Sequence, residues 1–557
     1  MSNTPPGYQV LADAFIAEGV RSHFTLMGDA NMHWGIALSH HEGVQTIHAR
    51  HEHCACGMAM GYAVATGKVG VASVTLGPGF TQTMTALTTA ARGRVPLVLF
   101  AGEIPTNPED PKWYNQSMDQ APLGRATGAH YIGIQSAGRL LPSVREAFYI
   151  AQYERRPVVL GVPFDLQKQP FPINEEYRPS SDFLPNIAPL PPNPDVIDNV
   201  VTRISESRHP VIVAGRGAIY SGAREAILEM AELAGALLAT TLPARGMFDS
   251  DPFTLGIAGG FSNLAAREEF ANADLVVAVG ASLTPYTSDG GALYPNAYVV
   301  QIDESPIGLR GGIPIAHQYV KADAAKAVEA IHERLKSLEY QPRARTDEVQ
   351  KRIQKLSADN RKFRIDPGTI DPRDIVAELD RVIPKDWDIV SGTGHCAFFH
   401  SQMKNRRPEN YHIVREFGAI GNGISLAIGV AAAQNDGRVV LIDGDGSLLM
   451  HIQELETIRR QGIKLLIIAL NDGAYGAEIH KLRSQNIDDS SAIFGRPDFA
   501  AIANGFGLVG ATISSLGKTA DLFEEYVHQD SAAIWNVHIS DQVVAPPMQK
   551  LMTNGLK

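Results

Sequence analysis

The sequence predicts an α/β protein of three doubly wound parallel-sheet domains, and three observations predict it. Short β-branched runs recur along all 557 residues, each ending near Gly or Asp and followed by a helix-like stretch. Strands buried on both faces read as such near-continuous apolar runs, and strand–helix alternation implies parallel sheets. Two seams, 178–195 (RPSSDFLPNIAPLPPNPD) and 338–371, interrupt the pattern. The first carries more proline than a packed element tolerates, and the second holds a charged, helical stretch ending at DPGTIDP. They leave pieces 1–180, 195–338 and 372–557, each of ordinary domain size.

In chain order the strand-like runs are 71–74, 96–100 and 158–162, then 211–214, 275–279 and 299–302, then 439–442 and 465–470. Composition limits what they serve. Charged residues at 20% and hydrophobic residues at 44% are ordinary for a globular protein. With 49 Lys and Arg against 60 Asp and Glu, the net charge of −11 lacks the basic footprint that nucleic acid or an anionic membrane requires. A small-molecule substrate is therefore expected. The apolar runs fall short of a membrane span, and the first twenty residues lack the basic and apolar regions of a signal peptide. Three cysteines suit a reducing cytoplasm.

Ligands of doubly wound sheets sit beyond the carboxyl ends of the strands. The strongest signal lies there, in the third piece. VVLID runs into Gly444-Asp445-Gly446-Ser447; after a helical stretch, LLIIAL ends in Asn471-Asp472-Gly473-Ala474-Tyr475-Gly476. If the two strands are neighbours, both carboxylates point into one crevice. Two carboxylates and a loop carbonyl are hard oxygen ligands suited to Mg²⁺. Gly444 and Gly446 let backbone N–H groups approach phosphate, and the helix start adds its dipole.

These motifs resemble the signature of thiamine diphosphate enzymes in the acetolactate synthase, pyruvate decarboxylase and benzoylformate decarboxylase superfamily, nearest the acetolactate synthases. The resemblance spans nearly the whole chain. It implies pyrimidine-binding, central and diphosphate-binding domains, with Asp445, Asp472 (where the family usually has Asn) and the Ala474 carbonyl as Mg²⁺ ligands. It implies a catalytic Glu in a segment matched by Arg50-His51-Glu52-His53, whose carboxylate bonds N1′ of the cofactor's aminopyrimidine so that N4′ can take the C2 proton. Gly77-Pro78-Gly79-Phe80-Thr81-Gln82 resembles the turn beside the pyrimidine, with Gln82 replacing Asn. Gly418 and Ile420 match the segment that bends the cofactor, and Gly394, His395 and Cys396 lie in the first diphosphate loop. Ser447, Tyr475 and Gly476 complete the implied cofactor contacts. A homodimer or homotetramer is implied as well, because in this family Glu52 of one subunit meets the cofactor held by another.

For the reaction, Gly28-Asp29-Ala30-Asn31 resembles the turn of pyruvate decarboxylases in which the Asp is catalytic, yet 103–125 contains no histidine. Gln120 lies where acetolactate synthases carry an active-site Gln, which favours a carboligase or lyase acting on 2-oxo acids or 2-hydroxy ketones over a simple 2-oxo acid decarboxylase. Glu103 is a proton-handling group or a turn cap. His480 and Glu478 are either proton-transfer groups or a solvated helix face. The FAD motif of acetolactate synthases is replaced by Gly280-Ala281-Ser282-Leu283-Thr284-Pro285, which leaves FAD doubtful; Gly215-Arg216-Gly217 and Asp303 remain nucleotide-compatible. The tail 543–557 either closes over the site or is a mobile end.

Overall fold

The computed structural model describes residues 4–106, 115–172, 176–310, 312–338, 345–356 and 359–554. Three six-stranded sheets, each wholly parallel, organise them. The first contains β1 (Ser22–Thr25), β2 (Gln45–His48), β3 (Gly70–Val74), β4 (Leu97–Glu103), β5 (His130–Gly133) and β6 (Pro157–Pro163), in the order β2-β1-β3-β4-β6-β5. The second contains β7 (Pro210–Ala214), β8 (Leu237–Thr240), β9 (Thr254–Ile257), β10 (Leu275–Val279) and β11 (Tyr298–Asp303). A small ribbon, β12 (Leu309–Arg310) and β13 (Ile313–Pro314), precedes its last strand, β14 (Gln318–Lys321); the order is β14-β11-β10-β7-β8-β9. The third contains β15 (Asp388–Ser391), β16 (Tyr411–His412), β17 (Val439–Gly444), β18 (Leu466–Asn471), β19 (Val509–Ile513) and β20 (Ala533–His538), ordered β16-β15-β17-β18-β20-β19.

Each of the eight apolar runs falls on a strand: β3, β4, β6, β7, β10, β11, β17 and β18. The strands that the runs did not reveal include short or polar ones at sheet edges. β2 (QTIH) and β19 (VGATI) are partly exposed, and β16 is two residues long. Between the first and second sheets, 184–193 form no helix or strand. In the second seam the charged stretch is a helix, Asp347–Leu356, and it docks on the central sheet's outer core through Ile353 and a 2.6 Å Arg352–Glu269 ion pair. Among the described residues, no helix is long and apolar enough to cross a membrane.

The outer two sheets share one apolar core. Phe24, Met58 and Leu99 of the first sit in the same cluster as Ile424, Leu441 and Ile467 of the third. The joint is the crossing of helix Glu52–Thr66 on helix Gly423–Gln434, both apolar nearly all round and therefore buried. Glycines set its closeness. A Cβ on Gly61 would lie 2.1 Å from the Leu426 carbonyl oxygen, and one on Gly429 1.9 Å from that of Met58. The central domain keeps separate cores. Arg216 braces it against both others, donating to the Gly93 carbonyl and to Glu416, each at 2.8 Å.

Gly61→Ala should therefore destabilise the chain by about 1–3 kcal/mol, because the extra methyl meets backbone rather than a movable side chain. Gly138→Ala, where a Cβ meets nothing within 4 Å, should be near neutral. Urea unfolding midpoints of the two variants check this, and equal midpoints would contradict the packing argument.

Candidate active site

β17 and β18 are parallel neighbours, with Gly444 paired to Leu470, so the two acidic turns emerge side by side. Asp445 opens the short helix Asp445–Leu449. Its Oδ1 accepts from the Gly446 N–H at 2.8 Å and its Oδ2 from the Gly473 N–H at 2.7 Å, which reaches across to the second turn. Asp472 Oδ1 accepts from the Ala474 N–H at 3.2 Å. Gly476 leaves room for this carboxylate: a Cβ there would lie 2.5 Å from Asp472 Oδ2. One small cavity gathers Gly394, His395 and Cys396 from the loop after β15, Ile420, residues 444–447 after β17, and Asp472, Ala474, Tyr475 and Gly476 after β18. Gly418, with φ +75, stands exposed outside it.

Beneath the turns lies a third carboxylate, Asp443. It is fully buried, and both Gly392 and Gly423 are needed to accommodate it. It accepts from the Gly444 N–H at 2.8 Å and the Ser447 hydroxyl at 2.9 Å. Burial raises the Asp443 carboxyl to about 7 and that of Asp445 to about 6, while burial and the neighbouring Asp445 raise Asp472. Three carboxyl groups pressed into one buried space favour a cation, since anions out of water need a compensating charge. Among the described residues no group of three or more His, Cys, Asp or Glu side chains is placed to hold a metal. A cation here would rest on Asp445, Asp472 and backbone or ligand oxygens. That suits Mg²⁺, which keeps few protein ligands.

Several implied cofactor contacts are already engaged inside the chain. The Ser447 hydroxyl accepts from the Gly421 N–H at 2.9 Å and donates to Asp443, so its role is to tie the segment after Ile420 to the acidic core. His395 Nε2 accepts from the Ala545 N–H at 3.1 Å, and burial holds the ring neutral. His480 is buried edge-on to His395 at 4.6 Å, not on a solvated face; burial lowers it to about 4, and its Nε2 has no hydrogen-bond partner. Residues 476–484 form a helix, and Glu478 on it is exposed, pairing with Lys481. Val543 and Ala545 are buried beside these histidines, so this part of the tail is packed over the site. Cys396 lies buried below Gly444.

The first domain presents a second cluster. Glu52 opens its helix against the Gly77-Pro78-Gly79 turn; a Cβ on Gly79 would lie 3.4 Å from Glu52 Oε1, and burial raises the carboxyl. Gln120 is buried, its Oε1 accepting from the Gly77 N–H at 2.8 Å and its Nε2 donating to the Gly102 carbonyl at 2.9 Å. Both ends of its amide thus hold backbone, a clamp between two strand-end loops. Glu103 lies beside it, bonded by the Tyr131 hydroxyl and raised to about 7 by burial. Asp29 and Gln82 are exposed in the single chain. None of Glu52, Gly77, Gln82, Asp29 or Gln120 lines the cavity that holds Ile420 and Asp445.

The Gly215-Arg216-Gly217 loop is filled by the chain itself. A Cβ on Gly215 would lie 2.3 Å from the Gly280 carbonyl oxygen, and one on Gly217 2.8 Å from the Gly280 Cα. Its glycines are accounted for by strand-end packing, which removes that motif as an argument for FAD. Motifs and spacing do not by themselves point to Asp443, His53, His451 or Gln116. Asp443 is the last letter of VVLID, and its signal was the glycine pair Gly392 and Gly423 that makes room for it. Gln116 has a buried, unpartnered Oε1, and its carbonyl meets Gly77.

Comparison with known proteins agrees with this geometry. Three models match in order: the thiamine pyrophosphate enzyme N-terminal TPP binding domain over residues 6–123, its central domain over 197–331 and its C-terminal TPP binding domain over 392–537. The acetolactate synthase large subunit of Haemophilus influenzae is 27% identical over 554 residues, covering 98% of this chain and 96% of that one. A probable acetolactate synthase large subunit of Methanocaldococcus jannaschii is 29% identical, covering 97% and 93%. The solved thiamine diphosphate-dependent 4-hydroxybenzoylformate decarboxylase of Rhodococcus jostii RHA1 superposes with TM-score 0.79 at 21% identity, over 96% of this chain and 99% of that one, a likeness of fold.

Asp443 and Asp445 retain protons in the metal-free fold where unfolded carboxyls, near 3.8, are ionised. Their contribution is present below that value and is lost as pH rises through about 6 to 7. Thermal unfolding of metal-stripped protein should show a midpoint falling between about pH 5 and about pH 8. Saturating Mg²⁺ with thiamine diphosphate should raise it more at the upper pH; equal shifts at both would count against a cation at these carboxylates.

Proposed function

This chain belongs to the thiamine pyrophosphate enzymes, and from that premise we propose that it is an acetolactate synthase-like carboligase or lyase, Mg²⁺-dependent, acting on 2-oxo acids or 2-hydroxy ketones. The observation that carries the reading is end-to-end similarity to acetolactate synthase large subunits. Asp445, Asp472 and the Ala474 carbonyl would hold Mg²⁺, Gly394 would let the diphosphate approach the backbone, and the Gly444 and Gly446 N–H groups hold the carboxylates of Asp443 and Asp445 in place. Ile420 would wedge the cofactor. When bound, the cofactor supplies a nucleophilic carbon and an electron sink for cleaving a C–C bond beside a carbonyl.

The protein's own residues divide the remaining work. Glu52, its carboxyl raised by burial, is suited to holding and returning a proton at its Oε atom. Gln120, read from sequence as catalytic, is assigned instead to positioning the Gly77 turn against which Glu52 rests. Asp29 and Gln82 would meet substrate or cofactor once a second subunit closes the site. That Glu52 does not line the cavity holding Ile420 and Asp445 supports active sites built between two copies, in a dimer or tetramer.

A second reading, simple decarboxylation of a 2-oxo acid, is favoured by His480, buried against His395 of the cavity with an unpartnered Nε2 that would exchange a proton with a bound product. Product analysis with a panel of 2-oxo acids, with and without an acceptor aldehyde or second 2-oxo acid, separates the two. The first predicts a 2-hydroxy ketone or 2-hydroxy-2-methyl-3-oxo acid whenever acceptor is present; free aldehyde alone with every acceptor supports the second. Glu52→Gln should lower kcat by about 10²–10⁴-fold while still binding cofactor by calorimetry. Full activity in that variant would remove the proposed proton path.

A further inference from the structure

Glu52 stands between two histidines that are not solvent-facing labels of a helix start. His53, the second residue of the helix, is buried and stacks on His451 with ring centroids 4.7 Å apart and planes at 12°. Its Nε2 donates to Asn422 Oδ1 at 2.6 Å. His451 Nδ1 donates to the Gly421 carbonyl at 2.9 Å. His51 caps the helix, accepting from the His53 N–H at 3.1 Å, and lies edge-on to His451 at 5.4 Å. Gly421 and Asn422 directly follow Ile420. The helix start carrying Glu52 is thus fastened to the wedge segment 418–422 of the same chain through one pair of rings.

We propose that His53 and His451 are a positioning pair that locks Glu52 to the wedge segment of its own chain and thereby couples two active sites. The proposal rests on the two-subunit reading above. If each site takes Glu52 from one chain and Ile420 from another, the stack joins the proton-handling group of one site to the cofactor-bending residue of the next. Ordering of the wedge by cofactor at one site is then felt by Glu52 at the other. Coupling of this kind is reciprocal and requires a shared element with defined arrangements; a buried aromatic stack carrying two directed hydrogen bonds is such an element.

The pair also sets an acid limit. The groups that act on it are His51 at the helix start and Asn422 and Gly421 on the wedge segment. Burial, reinforced by His451, lowers His53 to about 4. A folded value below the ordinary 6.5 means that the contact is intact above 6.5 and fails as pH falls toward 4.

Calorimetric titration of the full-length enzyme with thiamine diphosphate and Mg²⁺, alongside kcat, tests this. Wild type should bind non-equivalently across sites, with a Hill coefficient different from one. His53→Ala should return it to one and lower kcat about tenfold. His53→Gln, which keeps a donor toward Asn422, should recover much of kcat. The double variant His53→Gln with His451→Asn should lose the part of the fall in kcat that wild type shows as pH drops toward about 4. Equivalent sites in wild type, or a His53→Ala enzyme with unchanged kcat, affinity and Hill coefficient, overturns the proposal. The second result beside an inactive Glu52→Gln enzyme sinks this inference alone, whereas a fully active Glu52→Gln enzyme sinks the functional reading beneath it.

Discussion

The close crossing of helix Glu52–Thr66 on helix Gly423–Gln434 is the contact on which the rest of the architecture depends. Two α/β domains separated by more than two hundred residues of chain would ordinarily meet through a modest polar interface and move relative to one another. Here they share a single apolar core, because Gly57, Gly61 and Gly429 let the two helices approach until backbone touches backbone. At that separation dispersion contacts run along both helices and small displacements meet hard repulsion. The consequence is positional: Glu52 at the start of one helix and Asn422 just before the other are fixed relative to each other. The first domain's strand ends and the third domain's strand ends become parts of one rigid body.

The acidic turns sit at the opposite pole of the energetics. Asp443, Asp445 and Asp472 carry raised pKa values in largely enclosed positions, an arrangement that costs stability in the bare chain and would be relieved by a cation. Backbone N–H groups of Gly444, Gly446, Gly473 and Ala474 already point at these oxygens, so the loops are shaped around the carboxylates and need little rearrangement to receive a metal. An anionic ligand could be held by a protein of net charge −11 in this way: the attraction would be local, from a metal and oriented peptide dipoles, and would owe little to the surface.

Legibility in the sequence followed burial. Strands enclosed on both faces announce themselves as unbroken apolar runs, and β17 and β18 delivered the two acidic turns by residue number. Edge strands such as β2 and β19 have one exposed side and mixed composition, so nothing in their pattern separates them from loops. The same division holds at the site. Spacing located Asp445 and Asp472, but it does not reveal which way a side chain turns. Gln120 and Ser447, expected at a ligand, also make hydrogen bonds within the chain that spacing does not reveal, and His480, for which a solvated helix face was the alternative, is buried. Asp443 has only a non-local signal: two glycines, Gly392 before β16 and Gly423 after it, that leave space for a carboxylate well downstream of both.

The central domain shows how one local signature can serve two ends. A Gly-x-Gly turn after a strand is read as a phosphate cradle because small residues let a ligand approach the backbone. The same smallness lets another loop approach, and here Gly280, at φ +58, occupies the space beside Gly215 and Gly217. What remains of the motif is Arg216, whose guanidinium reaches Gly93 in the first domain and Glu416 shortly before the wedge segment in the third. A residue that would face a phosphate in a nucleotide fold is spent on holding the first and third domains of one chain in register. The central domain therefore contributes to the chemistry through geometry: it braces, from the side, the same pair of domains that the glycine-lined helix crossing joins at the core.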